Sequence, residues 1–249
     1  MLYAGIDIGS TAAKAVLMDR EQNKILARKL MPSGWNSKET AQELLTWLLS
    51  LGYSREEIKI IATGYGRVSV RYADKVLTEI TCHGRGAVFL GGPDLTVIDI
   101  GGQDTKVIVT KNGRVIDFAM NDKCSAGTGK FLEVISNRLG LTLPEFFCLA
   151  ENGKDIKISS MCTVFAESEI VSLMGLGTGR EDIARGAVDS VASKVVTLVR
   201  QKNHSGKFFL TGGFCESKLL IQKLSEILGA EVETTPDARF AGAIGAALL

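Results

Sequence analysis

The sequence predicts an α/β fold of two similar halves, each a mixed sheet flanked by helices. Two observations carry that expectation. The pattern Ile6-Asp7-Ile8-Gly9 with Lys14 recurs as Ile98-Asp99-Ile100-Gly101 with Lys106, and apolar positions match around both copies. Repetition of this kind marks a doubled structural unit. Short apolar runs also alternate with stretches of helical spacing along the chain, the pattern of an α/β protein.

Composition narrows the function classes. A length of 249 residues and a hydrophobic content of 45% are ample for a buried core. Charges nearly cancel, with Lys+Arg 29 against Asp+Glu 28, and no basic stripe tracks a phosphate backbone, so nucleic acid is not expected as a partner. The opening Met1-Leu2-Tyr3-Ala4-Gly5-Ile6-Asp7 lacks a basic leader, and no uncharged apolar run reaches the ~18 residues of a membrane span. A cytoplasmic protein with reduced thiols and no membrane partner is expected.

Residues 2–18 read as strand, turn, strand. The turn Gly9-Ser10-Thr11 is small and hydroxyl-bearing, so its N–H groups can approach an anion while Ser10 and Thr11 donate to phosphate oxygens and Lys14 reaches the same charge. It lacks the spacing of a Walker A loop. The second copy offers Gly101-Gly102-Gln103-Asp104 in the same place. Asp7 and Asp99 each end an apolar run before the glycine turn, which sets them at strand ends facing a cleft. Buried carboxylates need a partner there, and hydrated Mg²⁺ against phosphates supplies one. A plain turn capped by its own Asp is the bland alternative; the duplication favours nucleotide.

Between the copies, Gln22 to Leu30 reads as a third strand, Glu39 to Leu51 as an amphipathic helix stopped at Gly52, and Ile58 to Ala62 as a short buried strand before the turn at residues 63–67. Thr78 to Ala87 opens a helix on which Cys82 and His83 are adjacent and point apart, so structural roles are expected for both. Asn112-Gly113 signals a hairpin turn, with a strand over residues 114–120. Residues 143–155 read as a short helix and loop with Cys148 in the core among Phe146, Phe147 and Leu149. A long helix spans Ile183 to Lys202. Lys207 to Phe214 is a buried strand ending in Gly212-Gly213, a place where a flat ring or ribose can lie on the backbone, and Ser217 to Leu228 is the helix after it. The last stretch from Pro236 is a helix rich in Gly and Ala, able to cross another helix closely and suited to a hinge between halves.

The five cysteines form no C-x-x-C pair, and by spacing alone buried free cysteine is the default. Two of them stand in matching contexts. Cys124, in Asn121-Asp122-Lys123-Cys124-Ser125-Ala126-Gly127-Thr128-Gly129, precedes a helical run for which Thr128 is the expected N-cap, and Cys162, in Cys162-Thr163-Val164-Phe165-Ala166-Glu167-Ser168-Glu169, precedes another. A helix N-terminus can stabilise a thiolate, a phosphate or a cluster-bound sulfur. Two thiolates cannot complete a four-thiolate site in one chain; two copies about a twofold axis can.

The ordered set of the two Asp-Ile-Gly hairpins, Leu210-Thr211-Gly212-Gly213 and the Gly/Ala-rich last helix resembles the acetate and sugar kinase, heat-shock 70 and actin superfamily. That resemblance implies two ribonuclease-H-like domains forming an actin-like clasp around ATP and Mg²⁺: domain I over 1–92 plus 235–249, and domain II over 93–234. Within it, the Cys124 and Cys162 motifs, with Ala62-Thr63-Gly64-Tyr65-Gly66-Arg67 and Glu79-Ile80-Thr81-Cys82-His83, resemble the activators of 2-hydroxyacyl-CoA dehydratases, kin to the ATPase subunits of benzoyl-CoA reductase. The resemblance implies a homodimer holding one 4Fe-4S cluster on Cys124 and Cys162 of both copies, an electron donor such as ferredoxin or flavodoxin, and an acyl-CoA dehydratase or reductase as acceptor. Phosphates are expected on residues 9–11 and 101–104, adenosine near Gly212 and Gly213, and Gly127 and Gly129 on the loop between nucleotide and cluster. Asp7, Gln103 and Asp104 are the candidates to activate the attacking water. The rival readings are a small-molecule kinase of the same superfamily and a nucleotide-gated assembly protein.

Overall fold

A computed structural model describes residues 1–158, 162–202 and 206–249. The first sheet joins β1 (Leu2–Ile8), β2 (Ala12–Asp19), β3 (Lys24–Pro32), β4 (Ile58–Thr63) and β5 (Lys75–Val76) in the order β3-β2-β1-β4-β5. The second joins β6 (Leu95–Ile100), β7 (Thr105–Lys111), β8 (Arg114–Asn121), β9 (Lys207–Gly212) and β10 (Val232–Glu233) in the order β10-β9-β6-β7-β8. These are one topology used twice. In both sheets the hairpin strands run antiparallel and the two later strands join parallel to the first.

The repeat extends to detail. A register shift falls between Leu17 and Met18 in the first hairpin unit and between Val109 and Thr110 in the second, at equivalent places. The turns that follow carry Asn23 and Asn112 at positive φ, a conformation Asn tolerates better than most residues. The third strand starts later than expected because residues 20–23 are spent on the turn.

Eight α-helices cover the sheets among the described residues. Helix α1 (Ser37–Ser50), capped by the Asn36 side chain, lays Leu44 and Leu48 on the first sheet. The second sheet is covered by α3 (Gly129–Arg138), α4 (Leu143–Ala150), α5 (Thr163–Gly175), α6 (Arg180–Val199) and α7 (Lys218–Leu228) around a core including Phe131, Ile135, Val191 and Leu220. On α4, Phe146 and Ala150 take the buried face, four residues apart, and turn Cys148 outward. The expected core position of Cys148 is therefore corrected: it is exposed.

The chain leaves the first sheet through α2 (Glu79–Gly91) and returns through α8 (Ala241–Leu248). Helix α8 packs on β1, α2 touches β6, β7 and β8, and the two helices pack on each other between the sheets. Glycine permits that approach. A methyl group at Gly245 would run into the Cys82 carbonyl and the Gly86 nitrogen, and one at Gly86 into the Ala241 carbonyl. Substituting Gly245→Ala should therefore cost at least about 3 kcal/mol, the upper end of overpacking, or prevent folding. Chemical denaturation of the variant beside the parent measures this.

Candidate functional site

The strand ends of the two hairpins meet. The register sets Asp7 opposite Lys14 and Asp99 opposite Lys106, so each half brings one carboxylate and one ammonium to the same level. The turns beyond them touch: a methyl group on Gly102 would collide with the Thr11 hydroxyl. One cavity between them is lined by Asp7, Gly9, Ser10, Thr11 and Lys14 from the first hairpin and by Asp99, Gly101, Gly102 and Asp104 from the second. Gly129, Gly212 and Gly213 close its far side with Phe214. Two expected residues stand apart from this cavity. Gln103 lines an adjoining one with Trp35 and Tyr65, and Gly127 lies behind the second hairpin, where its carbonyl accepts the Thr105 hydroxyl at 2.7 Å.

His83 belongs at the centre. It is 5% exposed, with Nε2 3.6 Å from Asp7 Oδ2 and Nδ1 3.5 Å from Asp99 Oδ1, so one imidazole bridges the two strand-end carboxylates. It lines the same cavity. Glu79, one helical turn earlier, receives Lys106 Nζ at 3.0 Å, and the same ammonium reaches Asp104 at 2.8 Å. The spacing of Glu79 and His83 puts both on one face of α2; that spacing was the available signal.

Charge explains why these groups tolerate burial. Burial pushes the Asp7 carboxyl up, but the His83 hydrogen bond and the Lys14 charge outweigh it and hold Asp7 below the ordinary carboxylate value. Asp99 follows the same course, with burial opposed by His83 and Lys106. Burial lowers His83, yet Asp99 and Asp7 together raise it to about 9. Lys106 is also raised, burial being overcome by Asp99, Glu79 and Asp104. All four remain charged at neutral pH.

Asp7 Oδ1 is buried and has no hydrogen-bond partner among the described residues. A hydrated divalent cation in the cavity would satisfy that oxygen, so the residues fit Mg²⁺. Asp7 and Asp99 would hold its water shell.

The thiols of Cys124 and Cys162 are both exposed, whereas Cys82 and Cys215 are buried. The neighbours of these two cysteines are joined, Ser125 Oγ lying 2.7 Å from Thr163 Oγ1, which brings the Cys124 loop and the start of α5 together. Cys162 is the N-cap residue of α5. The end of α3 differs from the expectation. Thr128 precedes it, but its hydroxyl donates to the Ser125 carbonyl at 2.7 Å rather than capping the helix. The first α3 amides, Gly129 and Lys130, donate to the Gly101 and Gly102 carbonyls at 2.9 and 2.8 Å. That helix end is thus bound to the turn at residues 101–104 and not offered to sulfur. Ser159, Ser160 and Met161, part of the motif around Cys162, lie outside the described residues.

Doubled sheets, apposed glycine turns and paired aspartates define a two-domain, ribonuclease-H-like clasp of the actin type. The chain belongs to the BadF/BadG/BcrA/BcrD ATPase family, whose model matches residues 4–249. It is 42% identical over 247 residues, 98% of this chain and 95% of the relative, to the (R)-2-hydroxyglutaryl-CoA dehydratase activating ATPase of Acidaminococcus fermentans. The crystal structure of the (R)-2-hydroxyglutaryl-CoA dehydratase component A from that organism matches with a TM-score of 0.94 and 41% identity, covering 100% of this chain and 96% of the other. The activator of the 2-hydroxyisocaproyl-CoA dehydratase from Clostridium difficile, solved with bound ADPNP, matches with a TM-score of 0.92 and 37% identity, covering 100% and 93%. No helix among the described residues is long and apolar enough to cross a membrane.

The raised His83 fixes the sign of a pH effect. Its stabilisation is complete below the ordinary value of 6.5 and is lost as pH rises through about 9. Stability of the nucleotide-free protein should fall across that window, and His83→Gln should flatten the fall in urea titrations at stepped pH.

Proposed function

We propose that this chain is an ATP-dependent activator that carries one 4Fe-4S cluster between two copies of itself. It takes single electrons from ferredoxin or flavodoxin and delivers them to an acyl-CoA dehydratase or related reductase. The observation that supports the reading is a pair of exposed cysteines, Cys124 and Cys162, whose neighbours Ser125 and Thr163 are hydrogen-bonded to each other, in a member of an ATPase family. Four thiolates are the usual ligand set of such a cluster, and a twofold pair of copies supplies four.

Exposed apolar side chains around the cysteines support the pairing. Val164 and Phe165 open α5 at 68% and 69% exposure, Leu176 follows its end at 82%, and Met120 stands at 41% on the strand that leads to Cys124. Val164, Phe165 and Met120, close in sequence to the two cysteines, are apolar side chains that pairing of two copies would cover. The cluster, when bound, supplies a one-electron store. The protein's own part is to hold ATP: Ser10, Thr11 and the glycine turns receive phosphates, Lys14 meets their charge, Asp7 and Asp99 orient the hydrated Mg²⁺, and Gly212 and Gly213 receive the nucleoside.

The candidates for water activation are unequal. Asp104 is engaged by Lys106 at 2.8 Å and Asp7 faces His83, while Gln103 lines the cavity next to the turn, where an amide can orient a water. We assign the orienting role to Gln103. A small-molecule kinase would require an acceptor base free in that adjoining cavity, and Asp104 and Glu79, the carboxylates lining it, are both paired with Lys106.

Protein purified without oxygen and reconstituted with iron and sulfide should bind about four iron atoms per two chains. Cys124→Ala and Cys162→Ala should each lose that iron while retaining nucleotide; iron-free parent, or variants that keep the cluster, would remove the electron-transfer reading. Independently, Asp7→Asn should lower ATP turnover at least about a hundredfold, the scale of removing one preorganised charge contact, as read by phosphate release.

A further inference from the structure

We infer that Asn121 is a positioning residue that ties the presentation of the Cys124 thiol to the phosphate-side turn at residues 101–104. Strand β8 ends at Asn121, directly paired with Thr105, and Thr105 is the first β7 residue after that turn. Both side chains reach the same loop. Asn121 Nδ2 donates to the Cys124 carbonyl at 2.8 Å and the Ala126 carbonyl at 3.0 Å, while its Oδ1 accepts the Cys124 amide at 3.3 Å. The buried Thr105 hydroxyl donates to the Gly127 carbonyl at 2.7 Å.

A carboxamide that commits three hydrogen bonds to one short loop fixes the shape of that loop. The loop's other end is fixed by the Gly129 and Lys130 amides on the Gly101 and Gly102 carbonyls. Residues 122–128 are thus held on both sides by a base that begins at the phosphate-side turn. Displacement of that turn by a bound nucleotide is delivered to Cys124 as a movement of the whole loop. Gly127 lets the loop close: its φ is +86°, and a methyl group there would also press on the Lys194 stem. The bond between Ser125 and Thr163 carries the same movement to the start of α5, where Cys162 sits.

The purpose of this coupling rests on the proposed role of Cys124 as a cluster ligand; its test does not. Iron-free protein is treated with iodoacetamide with and without Mg·ADPNP, and the rates at Cys124 and Cys148 are followed by peptide mass spectrometry. Exposed Cys148, on α4, serves as the internal control. The nucleotide should change the Cys124 rate by about three- to tenfold, the range of coupling through one contact network, and leave Cys148 unchanged. Asn121→Ala should abolish that difference while nucleotide affinity stays within about twofold of the parent. Thr105→Val should weaken the response and Thr105→Ser restore it, which keeps the inference open to refutation if Asn121→Ala does not fold. A parent with no nucleotide effect at Cys124, or an Asn121→Ala protein that responds like the parent, overturns it. Loss of the iron reading alone would leave these rates unaffected.

Discussion

The molecule is organised by a buried bridge of charge between its two halves. Asp7 and Asp99 would repel each other across a dry cleft, and His83 stands between them with an ammonium opposite each carboxylate. A buried charge is tolerated only when paired, so the apposition of the hairpins is not free to drift. The polypeptide builds this with economy of parts, since one hairpin is used twice and α2, the segment that links the sheets, supplies both His83 and Glu79. Asp7 Oδ1, left without a hydrogen-bond partner among the described residues, is the atom a hydrated cation would satisfy.

From that bridge the consequences run outward along β7 and β8. The second hairpin is both a wall of the cavity between the halves and the base on which the Cys124 loop stands, because the opening amides of α3 are bonded to its turn. A helix end cannot serve two anions when its donors are already committed, so the positive end of α3 acts as a structural joint. Among the described residues, α5 is the helix that begins at a cysteine. Cys162 is set at the start of that helix, whereas Cys124 is held by the side chain of Asn121.

Much of this was legible in the amino-acid order. The duplicated Asp-Gly hairpins, the Gly212-Gly213 strand end and the small-residue last helix were legible because each depends on residues that few others can replace, glycine at close approaches above all. Strands β5 and β10 were not, since two residues carry no period. His83 was named in the sequence, but its pairing was not legible, because its partners Asp7 and Asp99 are distant in the chain. Cys148 was misplaced because an apolar neighbourhood in sequence says little about which helical face turns inward. The reversed use of the α3 end depends on carbonyls at Gly101 and Gly102, and backbone acceptors have no signature in the side chains.

Under the proposed function, the nucleotide clasp of each copy is mechanically joined to an iron centre shared by two. The most direct measurement is the electron paramagnetic resonance spectrum of reconstituted, dithionite-reduced protein, recorded with ADP and with ADPNP. The account predicts an iron–sulfur signal of about one spin per two chains whose line shape differs between the nucleotides. A signal identical in both states, or no such signal, would contradict it.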